Sequence, residues 1–406
     1  MTTISYKTVL PNEKESQYKT ILPSKEELCY SGRIDFADPK APVFIYAASF
    51  VNLKFTGKEC RIKIKNHHCW AKNSLGVFLD GVQGKIELLD DDKEHVYDLK
   101  NDCIRTENGK DFPDDDHFKN ISDGEHELMI FKRQDGGQHY FTFLGVEIED
   151  GGAVSAADPL PSKKLEVIGD SVSCGEVCEA LDCVGAPDPE NNEGRFSNSW
   201  YSYSWQVARA LNMELHDTSQ GGISLLDGVG WFNGPSDLRG VESCYEKLKY
   251  NPPLGENGWD CTKWIPDVIV IAIGQNDSSP IDIMKEDYES AESKNWRAQY
   301  EAFIKKLRGL YPNASIVCAT TLLMHDQSWD DAIDEVVRKI AAEDGAAGNV
   351  MAEDATARND ASGNAAPKVY HFMYKRNGAA TPGHPRIPEH NEMAAELAAF
   401  LRTIDF

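Results

Sequence analysis

A serine that follows an apolar strand and a histidine just ahead of a terminal helix are the residues of this sequence best suited to covalent chemistry. Ser171 lies in Gly169-Asp170-Ser171-Val172-Ser173-Cys174-Gly175, directly after the run Leu165-Glu166-Val167-Ile168. At the carboxyl end of a strand in an open parallel sheet, loop N–H groups are free to meet developing negative charge, so a serine there can attack a carbonyl and offer its own N–H to the oxyanion. His384, in Gly383-His384-Pro385, carries an imidazole whose ordinary pKa of about 6.5 lets it take the serine proton and return it to a leaving group at neutral pH. Two further segments supply candidate oxyanion donors. Gly222, in Ser219-Gln220-Gly221-Gly222-Ile223 after the strand-like Met213-Glu214-Leu215-His216, permits close backbone approach to a ligand; Gly221 is the alternative, one position away. Asn276, in Gly274-Gln275-Asn276-Asp277 at the end of the most apolar strand, can present a side-chain amide. Singly, each segment has an ordinary reading as a turn or a solvated loop. Their order, and their shared position at strand ends, point to acyl transfer through a serine.

These residues require a sheet to hold them, and the second part of the chain has the pattern for one. Apolar runs at 165–169, 267–273 and 316–319 suit buried strands, and helix-length segments at 200–211 and 295–310 lie between them, the alternation of a parallel sheet covered on both faces. Met393, Ala394, Leu397, Phe400 and Leu401 recur at helical spacing, which predicts a terminal amphipathic helix. The first part reads differently. Segments at 49–55, 61–65, 76–81, 127–131 and 140–144 are short, rich in β-branched and aromatic residues, and bounded by Gly, Asn or Asp, as expected of an antiparallel β-sandwich. Between them, Gly151-Gly152 through Pro159-Leu160-Pro161 has the composition of a linker. The expected organisation is therefore a sandwich over 1–150, a linker over 151–162 and an α/β domain over 163–406.

Composition agrees with two packed domains. At 406 residues the chain exceeds the roughly 250 at which single cores stop growing, and 41% hydrophobic residues suffice for sizeable cores. A formal charge of −24 argues against nucleic-acid or anionic-membrane partners, which need a basic footprint. No apolar run is long enough to span a bilayer, and no secretory leader is visible at the N-terminus. Ten cysteines without a tight framework read as free thiols, so a cytoplasmic location is expected; oligomeric state stays open.

Gly169-Asp170-Ser171 with Gly175, then Gly222, Gly274-Gln275-Asn276-Asp277 and His384-Pro385, resemble the four sequence blocks of the SGNH (GDSL) hydrolases in their expected order. Gly32-Arg33-Ile34, Asp80-Gly81, 123–128 and Lys132-Arg133 are similar to the jelly-roll domain that precedes the hydrolase in the second carbohydrate esterase family. The resemblance implies a jelly roll followed by a three-layer α/β/α domain, and an esterase that removes O-acetyl groups from xylan- or mannan-type hemicellulose oligosaccharides. It implies Ser171 as nucleophile, His384 as base, and Ser171 N–H, Gly222 N–H and Asn276 as oxyanion donors, with no metal or organic cofactor. The sequence departs from that pattern just before the histidine, where the superfamily commonly carries a carboxylate: Thr381 and Pro382 stand there. The expectation is then a Ser171–His384 dyad whose imidazole is oriented by the Pro382 carbonyl. An esterase for another acyl group, or an inert hydrolase fold that serves carbohydrate binding, are the competing readings.

Other features weigh less. Trp231, followed by Phe232, is the candidate sugar-stacking residue, with core packing as the alternative; Trp329 and His325 are weaker candidates of the same kind. Cys174, Cys178 and Cys183 beside the serine, and His67-His68-Cys69, lack the spacing of a zinc site. Asn120-Ile121-Ser122 fits a glycosylation acceptor, which a chain without export would not use.

Overall fold

The computed structural model describes residues 18–234, 236–344 and 369–406. Strict alternation in the first part builds two antiparallel sheets. Along Phe50–Thr56, Val51, Leu53 and Phe55 point inward; along Cys60–His68, Cys60, Ile62 and Ile64 do the same. With a side-chain period of two, each of these two strands buries one face in the sandwich core and leaves the other only partly exposed. One sheet runs Ile34–Asp35, Val43–Phe44, His139–Glu149, Cys60–His68, Glu94–Asp98; the other is ordered about Glu125–Lys132, which pairs on one side with Phe50–Thr56 and on the other with Ser74–Leu79. Their inner faces close over a common core that includes Phe44, Phe55, Leu75, Ile130 and Phe141. The sandwich extends into the segment expected to be a linker, because Val154–Ser155 adds to the edge of Phe50–Thr56.

The second part forms a five-stranded parallel sheet. Its strands are β1 (Lys163–Gly169), β2 (Met213–Asp217), β3 (Val268–Ala272), β4 (Ser315–Ala319) and β5 (Val369–His371), in the order β2-β1-β3-β4-β5. β3 and β4 are buried at every position, the continuous apolar pattern that a sheet covered on both faces requires. The longer helices are α1 (Tyr203–Ala210), α2 (Ala291–Leu310), α3 (Ser328–Glu343) and α4 (Ile387–Leu401). Cores on the two sides of the sheet are built around Trp296 and Trp329 from α2 and α3, and around Val207 and Leu397 from α1 and α4. The strand order reverses at β1, and ligands of such sheets bind beyond the carboxyl ends where the order reverses.

The domains are joined by side chains that cannot be wet. Arg33 of the sandwich meets Glu166 of β1 at 2.6 Å, both fully buried, and Arg133 meets Glu179 at 2.5 Å. Tyr140 Oη accepts the backbone N–H groups of Tyr250 and Asn251 at 2.9 and 2.8 Å, while Phe131 packs edge-to-face on Trp205 of α1 with centroids 5.4 Å apart. Lys132 and His139, the facing ends of two sandwich strands, and Arg133, Gln134, Asp135 and Gln138 in the connection between them are all buried. Among the described residues no helix is long and apolar enough to cross a membrane.

Candidate active site

Ser171 opens a single helical turn, Ser171–Cys174, at the end of β1. Asp170 caps that turn, its Oδ1 accepting the Val172 N–H at 3.0 Å. Its other oxygen accepts from Gln275 Nε2 at 2.6 Å and Asn276 Nδ2 at 3.0 Å, tying the ends of β1 and β3 together. Burial pushes the Asp170 carboxyl up to about 6, against the pull of the Val172 N–H, His384 and Gln275. Being first in its turn, Ser171 carries one of the N–H groups a helix leaves unpaired, and among the described residues nothing accepts from it.

The loop after β2 brings Gly222 to the same place. Its φ of +73° lies in the left-handed region, and a Cβ there would stand 2.8 Å from Trp231 Cβ, so the position calls for glycine. The Gly222 carbonyl accepts the N–H groups of Trp231 and Phe232 at 2.8 and 3.1 Å, while its own N–H has no acceptor among the described residues. Asp277 fixes this loop to β3: its two oxygens accept the Leu225 N–H at 2.9 and 3.0 Å and one also accepts Trp296 Nε1 at 2.8 Å. Asn276 reaches the pocket floor, yet both hydrogens of its amide are engaged, one by Asp170 and one by the Ile223 carbonyl at 3.0 Å. An asparagine amide has only two hydrogens, so donation from Asn276 to an oxyanion requires one of these bonds to be shared or released.

The His384 ring is oriented by a carboxylate, and the expected dyad is corrected on this point. His384 Nδ1 lies 2.5 Å from Asp188 Oδ2, and the His384 backbone N–H donates to Asp188 Oδ1 at 2.9 Å. Arg386 Nη2 donates to the same oxygen at 2.8 Å. Burial acts to raise the Asp188 pKa, but the bonds from His384 and Arg386 outweigh it and hold the carboxyl well below the usual carboxylate range. An ionised acceptor at Nδ1 fixes the proton there and leaves Nε2 free to act as a base. Gly383 makes room for this contact, since a Cβ at that position would sit 2.5 Å from Asp188 Oδ1. The orienting acceptor at Nδ1 is thus Asp188, in place of the Pro382 carbonyl, and Thr381 turns its hydroxyl to the Ala186 carbonyl.

Ser171, Gly221, Gly222, Trp231, Asn276 and His384 line one pocket of about 600 Å³, with Cys69, Trp70 and Gly137 of the sandwich on its wall. Ser171, His384, Gly222, Asn276 and Trp231, named as leading candidates from the sequence, therefore converge. Trp231 is 67% and Trp70 50% exposed, so each gives the pocket lining an apolar face open to solvent. Trp70 belongs to no strand pattern and carried no signal in the sequence. Trp329 is not a wall of this site: it is fully buried and packs on Trp296 with centroids 5.2 Å apart. His325 is likewise turned inward, Nε2 meeting Asp330 Oδ2 at 3.1 Å with both side chains buried. Asp188 was hidden from sequence reasoning because it lies 196 positions before its partner, in a proline-flanked loop with no periodicity to mark it. Cys174, Cys178 and Cys183 are free thiols, and among the described residues no group of three or more His, Cys, Asp or Glu could hold a metal ion.

Comparison with known proteins places these features in a family context. Residues 30–106 match the family described as Carbohydrate esterase 2 N-terminal. The chain is 26% identical over 379 residues to the cellulase/esterase CelE of Acetivibrio thermocellus, covering 92% of this chain and 39% of that protein. It is 31% identical over 205 residues to an acetylxylan esterase / glucomannan deacetylase of Cellvibrio japonicus, half of each chain. The matched stretches thus span half or less of these two relatives. Among solved structures, the acetyl xylan esterase Est2A of the rumen bacterium Butyrivibrio proteoclasticus superposes with a TM-score of 0.69 at 21% identity, over 95% of this chain and 98% of that one. A family two carbohydrate esterase from Clostridium thermocellum in complex with cellohexaose gives 0.67 at 23% identity, over 92% and 98%. At these identities the structural likeness is one of fold, and the fold is shared across both domains.

Proposed function

We propose that the chain is a carbohydrate esterase of the second family, whose N-terminal model matches residues 30–106, and that it hydrolyses acetyl esters on xylan- or mannan-type oligosaccharides through an acetyl-Ser171 intermediate. The observation that carries this reading is the meeting of Ser171, the Asp188-oriented His384 and Gly222 in one pocket. In acylation, Ser171 Oγ attacks the acetyl carbonyl while His384 Nε2 takes its proton. The oxyanion is held by the N–H groups of Ser171 and Gly222, each such donor being worth roughly 3 kcal/mol in the transition state. Asn276 adds a third donor when it shares the hydrogen now given to Ile223. Proton return from Nε2 to the departing sugar oxygen completes the step, and water hydrolyses the acetyl-enzyme by the same route in reverse. No step calls on a metal or an organic cofactor.

The carbohydrate reading is supported by the exposed aromatic lining of the pocket. Trp70 and Trp231 offer exposed aromatic faces, which suit the apolar faces of sugar rings, and the formal charge of −24 disfavours anionic partners. Acyl-chain profiling on aryl esters is the test. Activity that falls steadily from acetyl to octanoyl, and is lost in Ser171→Ala, is the expected result; activity rising with chain length would replace the acetyl-specific reading with that of a lipase or a general esterase.

A further inference from the structure

Glu176 stands at this site without a part in the mechanism above. Its backbone N–H donates to the Ser171 carbonyl at 3.0 Å, so its position is fixed relative to the nucleophile. The side chain, 13% exposed, lines the pocket with Ser171 and His384, and its Oε2 lies 4.0 Å from His384 Nε2. Oε1 is pressed against Gly221, where a Cβ would collide with it.

The charge on this carboxyl is decided by the sandwich. Glu176 is hydrogen-bonded to Asp135 and Gln138. The Asp135 carboxyl already accepts the N–H groups of Gly137 at 2.7 Å and Gln138 at 3.1 Å, with Gln220 Nε2 at 3.1 Å and Gln138 Nε2 at 3.3 Å. A group that collects four N–H donors is the acceptor of the pair, so the shared proton sits on Glu176. Burial first, and then Asp135 and the nearby Asp170, push the Glu176 carboxyl well above its ordinary range. Lys132, whose Nζ donates to the Asp135 carbonyl at 3.0 Å, and the Cys174 thiol stand behind the pair. Neutrality has a chemical consequence, since a carboxylate so near Nε2 would favour imidazolium and disable the base.

We propose that Glu176 Oε2 is the acceptor that orients the hydrolytic water when the acetyl-enzyme is resolved; this rests on the esterase reading above. A water has two hydrogens, and His384 Nε2 takes one. Two acceptors 4.0 Å apart can both be reached by one water at ordinary hydrogen-bond lengths, which leaves an oxygen lone pair for the acetyl carbon. The water C–O bond then forms as its proton passes to Nε2. Collapse of the tetrahedral intermediate breaks the bond to Ser171 Oγ, the proton on Nε2 returns to Oγ, and acetic acid leaves. A sugar hydroxyl has a single hydrogen, which His384 alone satisfies, so Glu176 favours water over an alcohol as acetyl acceptor.

The test is pre-steady-state hydrolysis of an aryl acetate by Glu176→Leu and Glu176→Gln, with methanol as competing acceptor. Glutamine keeps a donor for Asp135 and an oxygen for water; leucine keeps neither, while Asp135 retains its four N–H partners. In Glu176→Leu, kcat is expected to fall about 100-fold, the usual scale of a misplaced reactant, with a burst of phenol, acetyl-Ser171 detected by peptide mass spectrometry, and more methyl acetate formed. Its kcat/KM, which reports acylation alone, stays within about threefold of the parent, as do both constants of Glu176→Gln. Glu176→Met carries the same expectation if the leucine variant fails a thermal-melt check. A parallel fall of kcat and kcat/KM without acetyl-enzyme, or a glutamine variant as impaired as the leucine one, overturns the proposal. Failure of the serine reading is distinct: Ser171→Ala would then keep its activity, and no variant would carry acetyl on Ser171.

Discussion

At the scale of residues the proposed site has the make-up of an acyl-transfer constellation, with its carboxylate supplied from an unexpected place. Asp188 holds His384 through both the ring and the backbone, so the amide of Asp188→Asn can preserve much of the geometry but cannot stabilise imidazolium and can present its NH₂ to Nδ1, favouring the wrong tautomer. We expect kcat to fall by about 10³ to 10⁴-fold in Asp188→Asn with KM little changed; steady-state kinetics showing a loss below about tenfold would mean that another group orients the ring. The depressed pKa of Asp188 also sets a sign. A carboxyl lowered by folding contributes stability that is present above its unfolded value of about 3.9 and is lost only as pH falls through the folded one, so the His384–Asp188 link persists into acid.

At the scale of elements, four loops at one edge of a parallel sheet and one connection from the sandwich do the positioning. The strands that carry the loops were legible, because β3 is an uninterrupted apolar run, β1 and β4 are apolar through most of their inner positions, and sandwich strands such as Phe50–Thr56 and Cys60–His68 alternate. So were Ser171, Gly222, Asn276 and His384, since each sits where a strand or helix must begin or end. Asp188, Glu176 and Trp70 were not legible. Their roles depend on contacts between segments far apart in sequence, and neither periodicity nor composition records such a contact. α3 also went unread, though Trp329, Ile333, Val336 and Ile340 recur at helical spacing and that signal was available. The connection 132–138 has its own testable property. Lys132 is fully buried, its ammonium donating to the Gln134 and Asp135 carbonyls at 2.7 and 3.0 Å, and burial pushes its pKa down to about 7 against the pull of Asp135. Between about 7 and 10 the unfolded chain holds a proton that the folded one lacks, so this group's contribution to stability rises with pH across that window. Urea midpoints measured at both ends should therefore rise with pH more in the parent than in Lys132→Met; equal slopes would show that the buried ammonium does not titrate there.

At the scale of the whole molecule, the sandwich lines the proposed active site as well as adjoining it. It supplies Trp70, Cys69 and Gly137 to the pocket wall and Asp135 to the carboxyl pair. It is locked to the α/β domain by buried ion pairs at Arg33–Glu166 and Arg133–Glu179. Such pairs are costly to break one partner at a time, by about 3 to 5 kcal/mol, which favours a single fixed arrangement of the two domains. A rigid cleft with aromatic faces in its lining and a serine at its floor suits an extended, uncharged, acetylated chain. NMR of acetylated xylo- and manno-oligosaccharides during incubation with the protein tests that claim most directly. Loss of sugar-acetyl signals with matching growth of free acetate, abolished in Ser171→Ala, is the predicted result; acetyl signals that persist with the parent protein, or vanish equally fast with the alanine variant, would contradict it.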